Sequence, residues 1–178
     1  LIGTWASMGS PNATDVIGTT GLDFVIIDME HGSMSFETVE NMVRAAEANH
    51  ISPLVRVSDG REQTLLRALE TGVHSVMVPH VSTKETAENI VQFCKYFPNG
   101  KRGLSPYTRV HGFCHDNLAQ SLAKENDNTL VGLLVEGQLG LSNLEEIVQV
   151  DGVDLIYLGL FDICQSVGLP GDITHPRV

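Results

Sequence analysis

Apolar positions fall into two alternating spacings along the chain. Compact runs, IGTWASM (2–8), FVIIDM (24–29), PLVRVS (53–58), SVMVPHV (75–81), TLVGLLVEG (129–137) and DLIYLGLFD (154–162), are rich in core-type residues and predict six strands. Between them lie segments whose apolar residues recur every three or four positions. SFETVENMVRAAEAN (35–49) carries Phe36, Val39, Met42, Val43 and Ala46 at helical spacing, with Ser35 as N-cap and Thr38 three residues on. ATDVIGTTG (13–21), REQTLLRALETG (61–72), STKETAENIVQFCKYF (82–97), NLAQSLAKENDN (117–128) and LSNLEEIVQ (141–149) predict further helices. Gly21 and Gly72 close two of them, and Ser82 or Thr83 caps a third. The polar, glycine-rich stretch PNGKRGLSPYTRVHGFCHDN (98–117) is a long connection.

Strands such as VII, LLV and LIYLGL have too few polar positions for a half-solvated sheet, so they are expected to be buried on both faces, as in parallel sheets covered by helices. Regular β-α alternation leaves a doubly wound open sheet or a (β/α)8 TIM barrel. No G-x-G-x-x-G follows the first strand, which weakens the dinucleotide-binding version of the open sheet. Six strands are two short of a closed barrel, which runs to about 250 residues. The expectation is therefore a single (β/α) barrel domain over 1–178, holding about six β/α units and lacking the last two.

Composition narrows the function classes. At 178 residues and 42% hydrophobic, the chain has material for one well-filled domain. Asp plus Glu is 22 against 11 Lys plus Arg, a net charge of −11, which argues against nucleic acid or an anionic membrane as partner. No apolar run approaches the roughly 20 residues that span a bilayer, and no signal peptide is visible at the start. Cys94, Cys114 and Cys164 are an odd set with long, irregular spacing, so reduced packing thiols and a cytoplasmic location are expected.

Charge is concentrated at the C-terminal ends of the strands. The second strand ends in Asp28-Met29-Glu30-His31, the third in Arg56, the fourth in His80, the fifth in Glu136 and the sixth in Asp162. Parallel β/α folds build their sites at this edge. Glu136 and Asp162, from neighbouring strands, can place two carboxylates on one divalent cation while leaving positions open for substrate. The alternative is that both cap helices, a role Asp fills better than Glu. His31 is a candidate general base, with Asp28 or Glu30 holding its ring. Arg56 can fork onto a substrate carboxylate or oxo group, or pair with Asp28 or Glu30. His80 stays open between site and packing, and Trp5 between pocket wall and core. Lys84, Lys95, Lys101 and Lys124 fall in helix or loop segments, which disfavours a Schiff-base mechanism.

At these residues the sequence resembles the HpcH/HpaI aldolase/citrate lyase family, specifically its metal-dependent class II 2-oxo acid aldolases. The segments that carry the resemblance are IGTWASMGSP, FVIIDMEHG, PLVRVS, LLRALETGVHSVMVPHV, KYFPNGKRGLSPYTR, LLVEG and IYLGLFDICQSVGLPGDITHP. The D-x-E-H, V-E and G-x-x-D elements are specific in this order and spacing. The resemblance implies a lyase that reversibly cleaves a 4-hydroxy-2-oxo acid to pyruvate and an aldehyde. It implies a divalent metal (Mg2+, Mn2+ or Co2+) on Glu136 and Asp162, chelating pyruvate, and enolate stabilisation by Arg56. His31, paired with Asp28, would move protons. Gly159, Phe161 and Asp162 would hold the pyruvate carboxylate on a turn at a helix start, and Trp5 would border the aldehyde side. Glu70 would reach a neighbouring subunit of a homo-oligomer, a hexamer built from dimers. The pattern departs from relatives at Leu134, where some carry Gln, and at Leu160 and Phe161. A CoA-thioester lyase of the citryl- or malyl-CoA type and a non-catalytic barrel fragment acting only in assembly are the competing expectations.

Overall fold

The computed structural model describes residues 1–178. In chain order the elements are β1 (Gly3–Ala6), α1 (Pro11–Gly18), β2 (Phe24–Asp28), α2 (Phe36–Ala48), β3 (Ser52–Arg56), α3 (Glu62–Glu70), β4 (Ser75–Val78), α4 (Lys84–Cys94), α5 (Leu118–Asn128), β5 (Leu130–Val135), α6 (Gln138–Ser142), α7 (Leu144–Ile147), β6 (Leu155–Leu158) and α8 (Leu160–Ser166). A short 3-10 turn, Arg109–His111, lies in the long connection before α5. Three of the helices, α1, α2 and α4, begin at side-chain caps. Ser35 Oγ accepts from the Thr38 N–H at 3.2 Å and Thr83 Oγ1 from the Thr86 N–H at 3.2 Å. Pro11 opens α1 behind the Ser10 cap, because a first-turn residue needs no N–H.

All six strands are parallel and pair in chain order, β1-β2-β3-β4-β5-β6. This is the TIM-barrel winding, here as a curled six-stranded half-barrel rather than a doubly wound sheet. The curl is strong enough that Trp5 of β1 and Tyr157 of β6 meet edge to face, ring centroids 5.6 Å apart. Side chains alternate strictly between the two faces of the sheet. Val25, Ile27, Val55, Val76, Val78, Val131, Leu133 and Val135 face the helices and join a 26-residue core. Ile26, Leu54, Met77 and Leu134 face the concave side, with Trp5 and Phe24 packed on them. One step of two further along the concave side come Asp28, Arg56 and Glu136.

Three expectations change. The segment 141–149 is not one helix: the chain forms α6 and α7, which meet at Asn143. The sixth strand stops at Leu158, because Gly159 turns the chain into α8, so Asp162 sits in that helix's first turn instead of ending a strand. β6 is also not buried on both faces, since Leu155, Tyr157 and Leu158 are exposed along this sheet edge.

The long connection is held at the opposite edge of the sheet by buried polar contacts. Arg102, its side chain fully buried, stacks 4.5 Å from the Tyr96 ring, and Tyr96 Oη pairs with His111 Nε2 at 3.0 Å. Lys95 Nζ donates to the carbonyls of Asn126 and Thr129, just before β5, so this buried lysine is far from the strand ends that carry charge. Cys94 and Cys164 are buried and Cys114 exposed, all three free; burial pushes the Cys94 thiol up to about 12, which leaves it unreactive. No helix is long and apolar enough to cross a membrane.

Candidate active site

Asp28 and Arg56 end adjacent strands and lie side by side in register. Asp28 Oδ1 accepts from Arg56 Nε at 2.8 Å and Oδ2 from Nη2 at 2.6 Å, a two-pronged buried pair. The same carboxylate accepts the backbone N–H groups of Glu30 (3.1 Å) and His31 (3.3 Å), which folds the chain back sharply after β2. Burial opposes ionisation of Asp28, but Arg56 and those backbone donors outweigh it and hold the carboxyl below its ordinary range. Arg56 is likewise opposed by burial and raised by Asp28, Glu30 and Glu136, so it stays charged. Its guanidinium lies 4.4 Å from the centre of the Trp5 ring, a cation–π contact that fixes its plane.

The expected pairing of Asp28 with the His31 ring is not found. Asp28 takes the His31 backbone N–H instead, and its oxygens are spent on Arg56, so the His31 side chain is left exposed at the mouth of the cleft. The ring is positioned by the backbone turn and not by a carboxylate.

Glu136, directly after β5, is buried. Its Oε1 accepts the backbone N–H of His80 at 2.8 Å and lies 2.8 Å from the ring Nδ1 of the same residue. The other ring nitrogen, Nε2, lies 3.0 Å from Glu30 Oε1. Glu30 Oε2 is 2.9 Å from Arg56 Nη1 but out of line for a hydrogen bond, so it has no hydrogen-bond donor. A chain of polar contacts Arg56–Glu30–His80–Glu136 thus joins the ends of four strands. His80 adopts a left-handed backbone (φ 59°), a conformation that costs a non-glycine residue about 1–2 kcal/mol. Sequence reasoning weighed Glu30 as a partner of His31 or Arg56 and left His80 open between site and packing; the Arg56–Glu30 pair is found, but the link from Glu30 through His80 to Glu136 was missed. The signals available were the glutamate inside D-x-E-H and a histidine directly after the apolar run VMVP.

Burial raises the Glu136 carboxyl above its ordinary value; the like charges of Glu30 and Asp162 add to this and exceed the opposing pull of His80. Asp162, half-buried in α8, borders the same cleft of ≈ 340 Å³ as Trp5, His31, Arg56 and Glu136. Glu136 and Asp162 also border a second hollow of ≈ 420 Å³ together with His80. Gly159, which caps α8, packs so closely on Glu136 that a Cβ there would lie 2.7 Å from the Glu136 Cβ and 2.8 Å from Oε2. Neither carboxylate serves as a helix cap: Gly137 precedes α6, and Gly159 precedes α8.

The donor set fits a divalent cation. The carboxylates of Glu136 and Asp162 border the cleft together, and Glu30 is linked to Glu136 through His80, while the nearest guanidinium, Arg56, is paired with Asp28 and Glu30. Oxygen donors of this kind suit Mg2+ or Mn2+. Glu30, His80 and Glu136 alone offer three ligand atoms within 4.8 Å of one another. Glu70 is not brought into the site. It ends α3 at the opposite edge, with Oε1 3.4 Å from Arg102 Nη2 and Oε2 without a donor.

Comparison with known proteins bears on this arrangement. The model of the HpcH/HpaI aldolase/citrate lyase family matches residues 1–178. The chain is 32% identical over 177 residues to 5-keto-4-deoxy-D-glucarate aldolase from Shigella boydii serotype 18, covering 99% of this chain and 68% of that protein. Among solved structures, an HpcH/HpaI aldolase/citrate lyase family protein from Burkholderia cenocepacia J2315 superposes with a TM-score of 0.94 at 32% identity, over 99% of this chain and 70% of the other. Citrate synthase SbnG superposes with a TM-score of 0.90 at 34% identity, over 99% and 68%.

Proposed function

This chain belongs to the HpcH/HpaI aldolase/citrate lyase family of carbon–carbon lyases, and from that premise we propose reversible, divalent-metal-dependent aldol cleavage of a 4-hydroxy-2-oxo acid to pyruvate and an aldehyde. The observation that carries the reading is the convergence of Glu136, Asp162 and Arg56 on one cleft with His31 at its mouth. Glu136 and Asp162 hold the cation. A divalent cation bound there supplies Lewis-acid polarisation of the 2-oxo group.

In the cleavage direction, His31 takes the proton of the C4 hydroxyl. The C3–C4 bond then breaks, its electron pair passes to the 2-oxo acid portion as an enolate, and the aldehyde departs. Protonation of the enolate at C3 gives pyruvate. Arg56 faces the developing enolate oxygen with a guanidinium that Asp28 and Trp5 have already oriented, so little reorganisation is needed when charge appears. The opening turn of α8, with Gly159, Phe161 and Asp162, receives the substrate carboxylate, and Trp5 borders the aldehyde side. Assembly as a homo-oligomer, a hexamer built as a trimer of dimers, belongs to the same reading. Glu70, whose Oε2 has no donor within the chain, is the residue assigned to a neighbouring subunit.

The likeness to citrate synthase SbnG favours one second reading, a lyase or synthase of the same fold acting on a citrate-type skeleton or its CoA thioester. Pyruvate release from 4-hydroxy-2-oxo acids and acetyl-CoA release from citryl- and malyl-CoA, each followed in the presence of Mg2+ or Mn2+, separate the two. EDTA-sensitive pyruvate release from the hydroxy-oxo acids supports the aldolase. Turnover of the thioesters alone overturns it.

A further inference from the structure

We infer that His80 is a positioning residue: it holds the Glu136 carboxylate in place and ties it through Glu30 to Arg56, so that the cation-binding and enolate-facing parts of the site form one rigid unit. The inference rests on the reading of Glu136 as a cation ligand and extends it to a residue that reading leaves unused.

Two contacts from one residue converge on a single oxygen. The backbone N–H and the ring Nδ1 of His80 both lie 2.8 Å from Glu136 Oε1. That leaves Oε2 as the freer oxygen, turned toward Gly159 and the helix that carries Asp162. His80 makes this double contact from a left-handed backbone, and the neighbouring Val81 N–H pins the segment to β5 by donating to the Leu134 carbonyl at 3.1 Å. The chain does not settle here for the sake of packing: the His80 side chain is 67% exposed, while the two carboxylates it bridges are 11% and 5% exposed. An exposed ring spanning two buried acids adds little to the core, yet it fixes both acids. Groups that orient a metal ligand in this way govern metal affinity by about 10–100-fold.

The test uses the full chain, stripped of metal and titrated with Mn2+, by calorimetry and by the EPR signal of free Mn2+. His80→Gly keeps the left-handed backbone and the N–H but removes the ring; His80→Asn also tolerates that backbone and returns a polar side chain. The expected result is Mn2+ binding weakened about 10–100-fold in H80G with an unchanged or higher melting temperature, and partly recovered in H80N. Wild-type Mn2+ affinity in H80G overturns the inference and makes His80 a turn residue. If the wild-type chain itself binds no Mn2+, the cation reading fails, and His80 is judged by a double-mutant cycle of H80G and E136Q in metal-free protein. Unfolding constants that depart from multiplicativity by about threefold or more support the positioning role; simple multiplication overturns it.

Discussion

Asp28 carries more than one task at the scale of a single residue. Its carboxylate grips Arg56 with both oxygens and closes the turn after β2 through two backbone N–H groups. Asp28→Asn removes the charge from this buried pair, and a broken buried pair costs about 3–5 kcal/mol; the lower end is expected because Glu30 still lies beside Arg56. Urea unfolding of the two proteins measures it. The pH dependence has a definite sign. A carboxyl held below its usual range confers stability that is full above the unfolded value of about 3.9 and is lost as pH falls through the lower folded value. The gap between wild type and D28N therefore closes only in acid below that point. Arg56→Lys keeps the charge but loses the fork and the flat stacking on Trp5, and a fall in kcat of about 10²–10³-fold is expected in a pyruvate-release assay. Much of this was legible in the sequence. Asp28, Arg56 and Glu136 follow Ile26, Leu54 and Leu134 by two positions, so period-two alternation places them on one face. Glu30 and His80 lie beyond the strand ends, where the chain turns and periodicity no longer says where a side chain points. The place of His31 at the cleft was legible but not its support, because adjacency in sequence does not show that Asp28 would take its N–H.

At the scale of elements, the junction of β6 and α8 decides where Asp162 stands. The run DLIYLGLFD reads as one strand because its residue types suit one. Gly159 ends it, and the reason is local crowding that no single-sequence pattern reveals: the backbone there passes against the Glu136 side chain. Gly159→Ala must push either Glu136 or α8 aside. Overpacking of this kind costs about 1–3 kcal/mol, so a lowered melting temperature is expected together with weaker Mn2+ binding. A variant that melts lower but binds Mn2+ as wild type would separate packing from the site. The caps at Ser35 and Thr83 behaved as their residue types require, whereas the division of 141–149 into α6 and α7 had no sequence signal beyond Asn143.

Across the whole molecule, the half-barrel winding follows from strands in chain order with helices on the convex side. That arrangement gives the site a rigid floor. The core behind it is continuous from β2 to β5, and Leu69 of α3 is fully buried within it. Leu69→Ala is expected to cost about 2–5 kcal/mol in chemical unfolding while leaving the Mn2+ affinity of the folded protein unchanged, since α3 does not touch the cleft. The exposed edge at β6 was hidden from the sequence, where LIYLGL looks like a fully buried strand; burial depends on neighbours, and residue type alone does not supply them. The central claim, that Glu136 and Asp162 with Arg56 support an enolate of pyruvate, is tested most directly by exchange of deuterium from solvent into the pyruvate methyl group, followed by NMR. The predicted result is Mg2+- or Mn2+-dependent exchange that EDTA abolishes and that Glu136→Gln lacks. Absence of exchange from folded wild-type protein supplied with metal, or equal exchange in E136Q, would contradict it.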